Sequence, residues 1–368
     1  MGTFGIRTAV RFGDDALESL REFAGNRVFV VTDAFLASTD MFSWLRDLLG
    51  PEVTVFDGVE PNPTIAQIGK GLAAYLDAHP DVVIAYGGGS PIDAAKAMHK
   101  AALDHGRGAP QGLVVIPTTS GSGSEVTSFS VITDQVTHAK LPMVSPDMVP
   151  RLAVLDARVV LGVPPRTTAD SGMDVITHAV EAYVSTEAND FSDACAEKSA
   201  QLAFAHLERC FEDGHDLEAR ARMHNASTLA AMAFDNAGLG IVHSLAHALG
   251  GRFSVAHGRL NAMLLPHVIT YNADHNDRAA QRYAWLGQLA GSSAMGTRAG
   301  VVSFVSRIGK LNAKLGIGPG LQQCGVPAEQ VRPWLDELAA IALDDGCTAT
   351  APVRPTHADL VRLLRAAL

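Results

Sequence analysis

The sequence feature that most restricts the fold is a series of short, almost wholly apolar runs in the first half of the chain. Three of them, RVFVVT at 27–32, DVVIAY at 81–86 and GLVVIP at 112–117, are typical of strands buried on both faces. Further strands are predicted at Thr8–Phe12 and Glu52–Phe56. Helical patterns separate the strands, at Asp14–Phe23, Met41–Leu49, Ile65–His79 and Pro91–Leu103. This alternation predicts a parallel, doubly wound α/β sheet.

The pattern changes near residue 160, where strands give way to helices rich in Ala, Leu and Met. Helical periodicity is clearest at Ala194–Leu207, Leu217–Ala233 and Arg278–Ala290. A chain of 368 residues is long enough for two domains. We therefore predict an α/β domain at 1–160 and an all-helical domain at 161–368.

Charge and cysteine content narrow the class of protein. The formal net charge is −10 at pH 7 and the pI is about 5.7, which argues against broad binding to nucleic acid or anionic membranes. No apolar run has the length of a signal peptide or of the roughly 20 residues of a membrane span. We expect a cytoplasmic protein with reduced thiols, because none of the cysteines has CxxC spacing: Cys195, Cys210, Cys324 and Cys347.

The loop Gly87-Gly88-Gly89-Ser90-Pro91 follows the run DVVIAY and leads into a helix. Glycines let a phosphate approach the backbone, Ser90 is a natural N-cap, and Pro91 suits the first helical position. The helix N-terminus would then offer N–H groups and its positive dipole end to a diphosphate. A plain tight turn is the alternative. The loop lacks the GxGxxG spacing of the usual dinucleotide fingerprint.

Two other segments follow predicted strands. The loop at 118–125, TTSGSGSE, is dense in hydroxyls and glycine, so it suits hydrogen bonds to a ribose or phosphate or is merely a polar turn. Asp33 directly follows RVFVVT. Its carboxylate suits the adenosine ribose hydroxyls and would repel the extra phosphate of NADP. A helix N-cap is an equally good interpretation of Asp33.

Histidines are concentrated at 241–258, IVHSLAHALGGRFSVAHG. His243 and His247 are four residues apart and share a helical face, and Gly250-Gly251 predicts the end of that helix. His257 would return from the following turn or short segment. Upstream, Asp174 and His178 form a second pair with the same spacing. One carboxylate with several imidazoles suits a divalent first-row metal such as Fe(II) or Zn(II), whereas ordinary helix and loop histidines are the alternative. Spacing does not decide whether His243 or His247 would bind the ion.

Taken together, these segments resemble the iron-containing (group III) alcohol dehydrogenase family over essentially the whole chain. Within the family, the resemblance is to short-chain primary alcohol enzymes of the ethanol and 1-propanol type, including those of bacterial microcompartments. The matching segments are VVTD at 30–33, PNPT at 61–64, GGGSPIDAAKA at 87–97, PTTSGSGSEVT at 117–127, GMDVITHAVEAYVS at 172–185, and GIVHSLAHALGGRFSVAHGRLNAMLLPHVITYN at 240–272.

The resemblance implies an N-terminal NAD-binding domain and a C-terminal metal-binding and catalytic domain. It implies four metal ligands: Asp174, His178, His243 and His257. His247 matches a histidine that is not a ligand and is proposed to help with proton transfer; helix packing is its alternative role. The implied cofactor-binding residues are Asp33, Gly87, Gly88, Gly89, Ser90, Asp93, Thr118, Thr119, Ser122 and Lys140.

The expected function is therefore an Fe(II)-dependent alcohol dehydrogenase, with Zn(II) as a second candidate ion. It would interconvert a small primary alcohol and its aldehyde with NAD(H) in preference to NADP(H). A polyol dehydrogenase resembling glycerol dehydrogenase is the first alternative. A lyase resembling dehydroquinate synthase is disfavoured, because 174–258 lacks the basic residues that a phosphorylated substrate needs. A non-catalytic microcompartment cargo is the last alternative. The family suggests a homo-oligomer, a dimer or larger, with association with a bacterial microcompartment as one setting.

Overall fold

The computed structural model describes residues 2–135 and 140–368. The chain separates into two compact units, Gly5–Leu161 and Gly162–Leu368, and the N-terminal residues through Phe4 join the second unit. The first unit is an α/β structure around a parallel sheet, and the elements described in the second are helices. The predicted fold class is confirmed.

The strands of the α/β unit are β1 (Ala9–Phe12), β2 (Val28–Val31), β3 (Val53–Phe56), β4 (Val82–Gly87), β5 (Leu113–Pro117), β6 (Phe129–Thr133), β7 (Lys140–Val144) and β8 (Leu152–Leu155). Six of them form a parallel sheet in the order β1-β8-β5-β4-β2-β3. Strands β6 and β7 form a separate antiparallel pair. Because β4 lies between β2 and β5, the loops that follow these three parallel strands emerge side by side.

The helices of this unit are α1 (Ala34–Ala37), α2 (Asp40–Leu49), α3 (Ile65–Ala78) and α4 (Gly89–Asp104). Helices α3 and α4 pack against the sheet and help to form the core. Short 3₁₀ helices lie at Ala16–Phe23, Ser124–Val126, Pro146–Met148 and Ala157–Val160. Phe29, Tyr75 and Met98 bring β2, α3 and α4 into one apolar cluster, and all three are fully buried. This cluster fixes the strand ends from which the candidate cofactor loops begin.

Three features of the α/β unit differ from the sequence predictions. The helix expected at Asp14–Phe23 is the 3₁₀ helix Ala16–Phe23. Strand β8 was not predicted, because a run of only four apolar residues cannot be told from a buried helical segment by its pattern. The β6–β7 pair was also missed, because these strands interrupt the βα alternation and lie half exposed rather than as continuous apolar runs.

The second unit is built around α5 (Pro165–Val184), which is buried over most of its length. The other helices are α6 (Asp190–Glu212), α7 (Leu217–Ala237), α8 (Ile241–Arg252), α9 (His257–His275), α10 (Asp277–Leu289), α11 (Thr297–Lys314), α12 (Ala328–Val331), α13 (Leu335–Asp344) and α14 (His357–Ala366). Helix α5 packs against α6, α7 and α9. Short 3₁₀ helices lie at Leu321–Cys324, Arg332–Trp334 and Gly346–Thr350.

Within the described ranges, no single helix combines the length and apolar character needed to cross a membrane. Helices α7 and α8 pass that test only as a pair, by length and composition, and they are bent by 103° at the break between them.

Candidate metal centre and cofactor loops

Helix α5 carries three of the polar side chains of the candidate metal centre. Asp174, His178 and Glu181 follow one another at spacings of four and three residues, so they lie on one helical face. All three are buried although they are ionisable. Buried groups of this kind require polar partners, which α8 and α9 supply.

Helices α8 and α9 contribute His243 and His257. The helix end predicted at Gly250-Gly251 is close to the observed one, because α8 ends at Arg252, one residue later. The prediction for His257 was wrong: it is not in a turn or short segment but is the first residue of α9. Neither glycine has a positive φ, so the backbone stays helical through both. Four residues, 253–256, therefore separate the two helices and bring both histidines toward α5.

The three histidine side chains converge on one carboxylate oxygen. Asp174 Oδ1 lies 3.8 Å from His178 Nε2, 3.7 Å from His243 Nε2 and 3.6 Å from His257 Nε2. Ligands bonded at about 2.1 Å to one ion in tetrahedral geometry would be about 3.4 Å apart. The three distances to Asp174 Oδ1 are compatible with ligands of one divalent ion, and the ligand atoms of Asp174, His178 and His243 all lie within 4.8 Å of one another. The side chain of His257 is 40% exposed, whereas the other three side chains are buried, so the centre opens on the His257 side.

The charges around Asp174 and the three histidines favour a positive charge in the candidate metal centre. Burial alone would raise the pKa of Asp174, but the surrounding imidazoles lower it well below its usual range. Burial disfavours the charged form of His243, yet the nearby carboxylates of Asp174 and Glu181 raise its pKa to about 9. Without metal, the protonated, positively charged form of His243 is therefore favoured at neutral pH. A divalent ion would replace that charge and release the proton.

Asn261 is a member of the centre that the sequence analysis missed. Its Nδ2 donates to Asp174 Oδ1 at 2.7 Å and lies 3.1 Å from Nε2 of both His243 and His257. The side chain is fully buried. Its position four residues after His257 on α9 places both on one face, and this spacing was the signal available in the sequence.

His247 is held apart from the converging atoms. Its Nδ1 lies 2.9 Å from Asp345 Oδ2, and its ring stacks on that of His257 with centroids 5.2 Å apart. The side chain of His247 is 37% exposed, on the open side of the centre. Asp345 was also missed, because it is 98 residues away in the sequence and no local pattern links it to His247.

The spacing of α5 and α9 is set by a backbone contact. A Cβ atom added to Gly258 would lie 2.0 Å from the carbonyl oxygen of Asp170 and 3.1 Å from Asp174 Cβ. Only glycine leaves room for the two helices at this distance. His257 is the adjacent residue, so this contact determines how closely it approaches Asp174.

The α/β unit brings the two predicted phosphate loops together. The N-cap of α4 is Gly88, and a Cβ atom there would lie 3.2 Å from Thr119 Oγ1. A Cβ atom on Gly89 would lie 3.4 Å from Ser122 Oγ. The N–H of Thr118 donates to the carbonyl of Gly87 at 2.9 Å. Backbone and hydroxyl groups thus surround the N-terminus of a long helix, an arrangement that suits a phosphate group.

Two expectations for this loop were wrong. Ser90 is not the N-cap of α4, and Pro91 is its third residue rather than its first. The helix begins earlier than predicted, with Gly88 as its cap. The hydroxyl of Ser90 instead accepts from Asn62 N at 3.3 Å, and the ammonium group of Lys140 donates to Asn62 Oδ1.

Asp33 and Asp93 both make internal hydrogen bonds. Asp33 Oδ1 accepts from Leu36 N at 2.9 Å, so Asp33 is the N-cap of α1. Asp93 accepts from Ser124 Oγ at 2.8 Å and from Val131 N at 3.0 Å, and thereby ties α4 to β6. Burial raises the pKa of Asp93 and lowers that of Lys140. These contacts give both aspartates structural roles, and each retains acceptor capacity for a ligand.

Comparison with known protein families gives matches along the chain. Residues 7–157 match the family described as "Iron-containing alcohol dehydrogenase", and residues 168–368 match "Fe-containing alcohol dehydrogenase family, C-terminal".

Individual relatives agree with these matches. The chain is 46% identical over 286 residues to the 1-propanol dehydrogenase PduQ of Citrobacter freundii, covering 77% of each chain. It is similar to the crystal structure of a 1,3-propanediol oxidoreductase, with a TM-score of 0.92, 33% identity and 100% coverage of both chains. It is also similar to sulfoacetaldehyde reductase from Bifidobacterium kashiwanohense in complex with NAD+, with a TM-score of 0.88, 27% identity, and coverage of 100% of this chain and 98% of the other.

Proposed function

This chain belongs to the iron-containing alcohol dehydrogenase family, which makes it an oxidoreductase of alcohols and aldehydes, and we propose that its substrate is a small primary alcohol with NAD(H) as hydride carrier. The observation that carries the proposal is the convergence of three imidazole Nε2 atoms on Asp174 Oδ1 at 3.6–3.8 Å. A cluster of this kind, open on one side, suits an ion that also binds a substrate oxygen.

We propose that Asp174, His178, His243 and His257 hold the metal ion. One carboxylate and three imidazoles without a thiolate suit Fe(II), and Zn(II) is the second candidate. The bound ion supplies Lewis acidity, which lowers the pKa of an alcohol hydroxyl and polarises an aldehyde carbonyl. Asn261 donates to Asp174 and so orients the carboxylate within the ligand set.

His247 is the proposed proton carrier. Asp345 accepts at Nδ1 of His247, which leaves Nε2 available for the proton that leaves the alcohol or reaches the aldehyde. The partial exposure of His247 suits exchange of that proton with water. Its position beside His257 keeps it within the proposed centre without making it a ligand.

The α/β unit is the proposed cofactor-binding part. The diphosphate would bind to the two loops, through Gly87–Ser90 in the first and Thr118, Thr119 and Ser122 in the second. Asp93 and Lys140 would lie nearby. NAD supplies the hydride acceptor, and its chemistry is that of the nicotinamide. The structurally similar sulfoacetaldehyde reductase has been crystallised with NAD+, which supports the choice of cofactor. Asp33 supports NAD over NADP, because its carboxylate would repel a 2′-phosphate.

A primary alcohol of about three carbons is the proposed substrate, since the 1-propanol dehydrogenase relative is 46% identical. A diol is the second candidate, favoured by the similarity to 1,3-propanediol oxidoreductase. Initial rates with propanal, 3-hydroxypropanal and dihydroxyacetone would rank the simple alcohol, the diol and the polyol. Light scattering on the same preparation would test the expected homo-oligomer.

The deciding experiment is NADH oxidation by propanal with protein purified without oxygen and loaded with Fe(II). We expect turnover that is absent from His257→Ala, together with loss of bound iron. His275→Ala is a matched control, because His275 ends the same helix, about 27 Å along its axis from His257. Turnover in an iron-free His257→Ala protein would contradict the site. No turnover by wild-type protein with bound Fe(II) would reject the propanal activity.

A further inference from the structure

A carboxylate on α5 contacts both the backbone and the ring of His243. Glu181 Oε2 accepts from His243 Nδ1 at 2.6 Å and from His243 N at 3.4 Å. It also accepts from Gly240 N at 3.0 Å, and Oε1 accepts from Val242 N at 2.7 Å. Glu181 is only 4% exposed, so these four donors form most of its polar surroundings. The position of the Glu181 carboxylate is therefore closely defined.

Two of the four donors belong to the first turn of α8. The N-cap of α8 is Gly240, which has no side chain to accept from the free N–H groups that follow. Glu181 takes that role from a different helix, and its negative charge suits the positive end of the α8 dipole. The contact is close, because a Cβ atom on Gly240 would lie 2.6 Å from Glu181 Oε1. Glu181 therefore fixes the point at which α8 begins and the backbone of His243.

The contact between Glu181 and the imidazole ring determines which nitrogen of His243 carries the hydrogen. An ionised carboxylate can only accept hydrogen bonds, so Nδ1 of His243 must carry the hydrogen. In the neutral ring, the lone pair is then on Nε2, which lies 3.7 Å from Asp174 Oδ1. The tautomer that a metal requires at Nε2 is the tautomer that Glu181 selects.

We propose that Glu181 is a positioning residue that sets the metal affinity of the site by fixing both the orientation and the tautomer of His243. The inference rests on the proposed function only in taking His243 as a metal ligand; it does not depend on the substrate or on NAD. Carboxylates that hold the far nitrogen of a ligand histidine typically contribute a factor of about 10–100 to metal affinity.

The test is the binding of Co(II) to the full-length, metal-free protein, without cofactor or substrate. Glu181→Gln keeps the shape of the side chain but replaces one acceptor oxygen by an NH₂ group. If that group faces His243 Nδ1, the ring must place its hydrogen on Nε2, where a metal cannot bind. If the NH₂ group instead faces Val242 N, two N–H donors face each other and the hydrogen bond to Val242 is lost. We expect the Kd for Co(II), measured by competition with a chelator, to rise about 10–100-fold.

Controls separate this effect from unfolding and from a general loss of charge. Glu187→Gln removes an exposed carboxylate six residues along the chain and should bind Co(II) like wild type. Glu181→Asp keeps the charge but withdraws it by one methylene, and we expect a smaller rise in Kd. It also serves as the second variant if Glu181→Gln does not fold, as judged by circular dichroism.

The outcomes distinguish this inference from the proposed function. A Kd for folded Glu181→Gln within twofold of wild type would overturn the inference, and so would wild-type protein that fails to bind Co(II). If Glu181→Gln does not fold, a wild-type Kd for Glu181→Asp would also overturn it. A raised Kd in a protein whose wild type reduces no aldehyde would support the inference while rejecting the proposed function.

Discussion

His247 Nδ1 and Asp345 Oδ2 lie 2.9 Å apart, although 98 residues separate them in the sequence. Asp345 Oδ1 accepts in turn from Cys347 N at 2.8 Å. Burial would raise the pKa of Asp345, but hydrogen bonds with His247 and Cys347 and the charge of His247 together outweigh it and lower that pKa to about 2. An ionised, anchored carboxylate therefore orients the imidazole at the open side of the centre.

We expect Asp345→Asn to lower kcat for propanal reduction by about 10–100-fold while leaving the bound iron unchanged. The reason is that the variant removes the charge that orients His247 but none of the four proposed ligands. Asp344→Asn, at the neighbouring exposed position, is the control. His247→Gln combined with Asp345→Asn should be no slower than His247→Gln alone if the pair acts as a unit. Loss of iron in Asp345→Asn would instead indicate a role in metal binding.

A second prediction separates the two roles of Asp33. Asparagine at this position keeps an oxygen that accepts from Leu36 N, but it removes the charge. We expect Asp33→Asn to shift the ratio of kcat/KM for NADPH over NADH upward by about tenfold, which corresponds to about 1.4 kcal/mol. Asp33→Ala should show the same shift and also lose about 1 kcal/mol of stability. An unchanged ratio in both variants would show that Asp33 is only a helix cap.

The close approach at Gly258 gives a third prediction. Gly258→Ala places a Cβ atom against the backbone of Asp170, so α5 and α9 must move apart. We expect the melting temperature to fall by several degrees and the affinity for Co(II) to weaken at least tenfold, because Asp174 and His257 separate. Gly251→Ala is the control: no atom lies within 4 Å of a Cβ atom there, and alanine favours the helix by about 0.5–1 kcal/mol. Equal stability and metal affinity of the two variants would refute this account of Gly258.

The fourth prediction concerns stability below neutral pH. Burial lowers the pKa of His99 from 6.5 to about 4 in the folded protein. The unfolded chain therefore binds a proton that the folded chain does not, and stability is lost as the pH falls from about 6.5 towards 4. Between pH 7.5 and pH 5 we expect this residue to account for about 2 kcal/mol.

The measurement for His99 is urea unfolding of wild type and of His99→Gln at both pH values, with equal metal loading. The difference in the free energy of unfolding between the two proteins should shrink or reverse at pH 5, because only wild type pays to keep His99 uncharged. A difference that is constant with pH would mean that His99 is not neutral in the folded protein.

The sequence was sufficient to predict features that depend on the pattern of neighbouring residues. Continuous apolar runs indicated β2, β4 and β5, and the i,i+4 spacing indicated that Asp174 and His178 share a face. Spacing could not decide between His243 and His247, because the choice depends on contacts from other elements: Glu181 holds His243, and Asp345 holds His247.

The errors have physical causes of the same kind. Ser90 is a good cap by residue type, but the preceding glycines allow α4 to begin earlier, at Gly89. Gly250-Gly251 has no positive φ here, so α8 continues through both glycines and ends one residue later, at Arg252. Asp345 had no neighbour in the sequence to reveal its partner. In contrast, Glu181 could have been identified from its helical spacing to His178, and Asn261 from its spacing to His257.

The main-chain contact between Gly258 and Asp170 also has an evolutionary consequence. Because backbone atoms hold α5 and α9 at their distance, the separation of Asp174 and His257 does not depend on side chains around the exposed edge of the centre. Those side chains can change without moving the two residues. A scaffold of this kind can acquire a new alcohol preference through successive single substitutions while its inherited chemistry continues to operate.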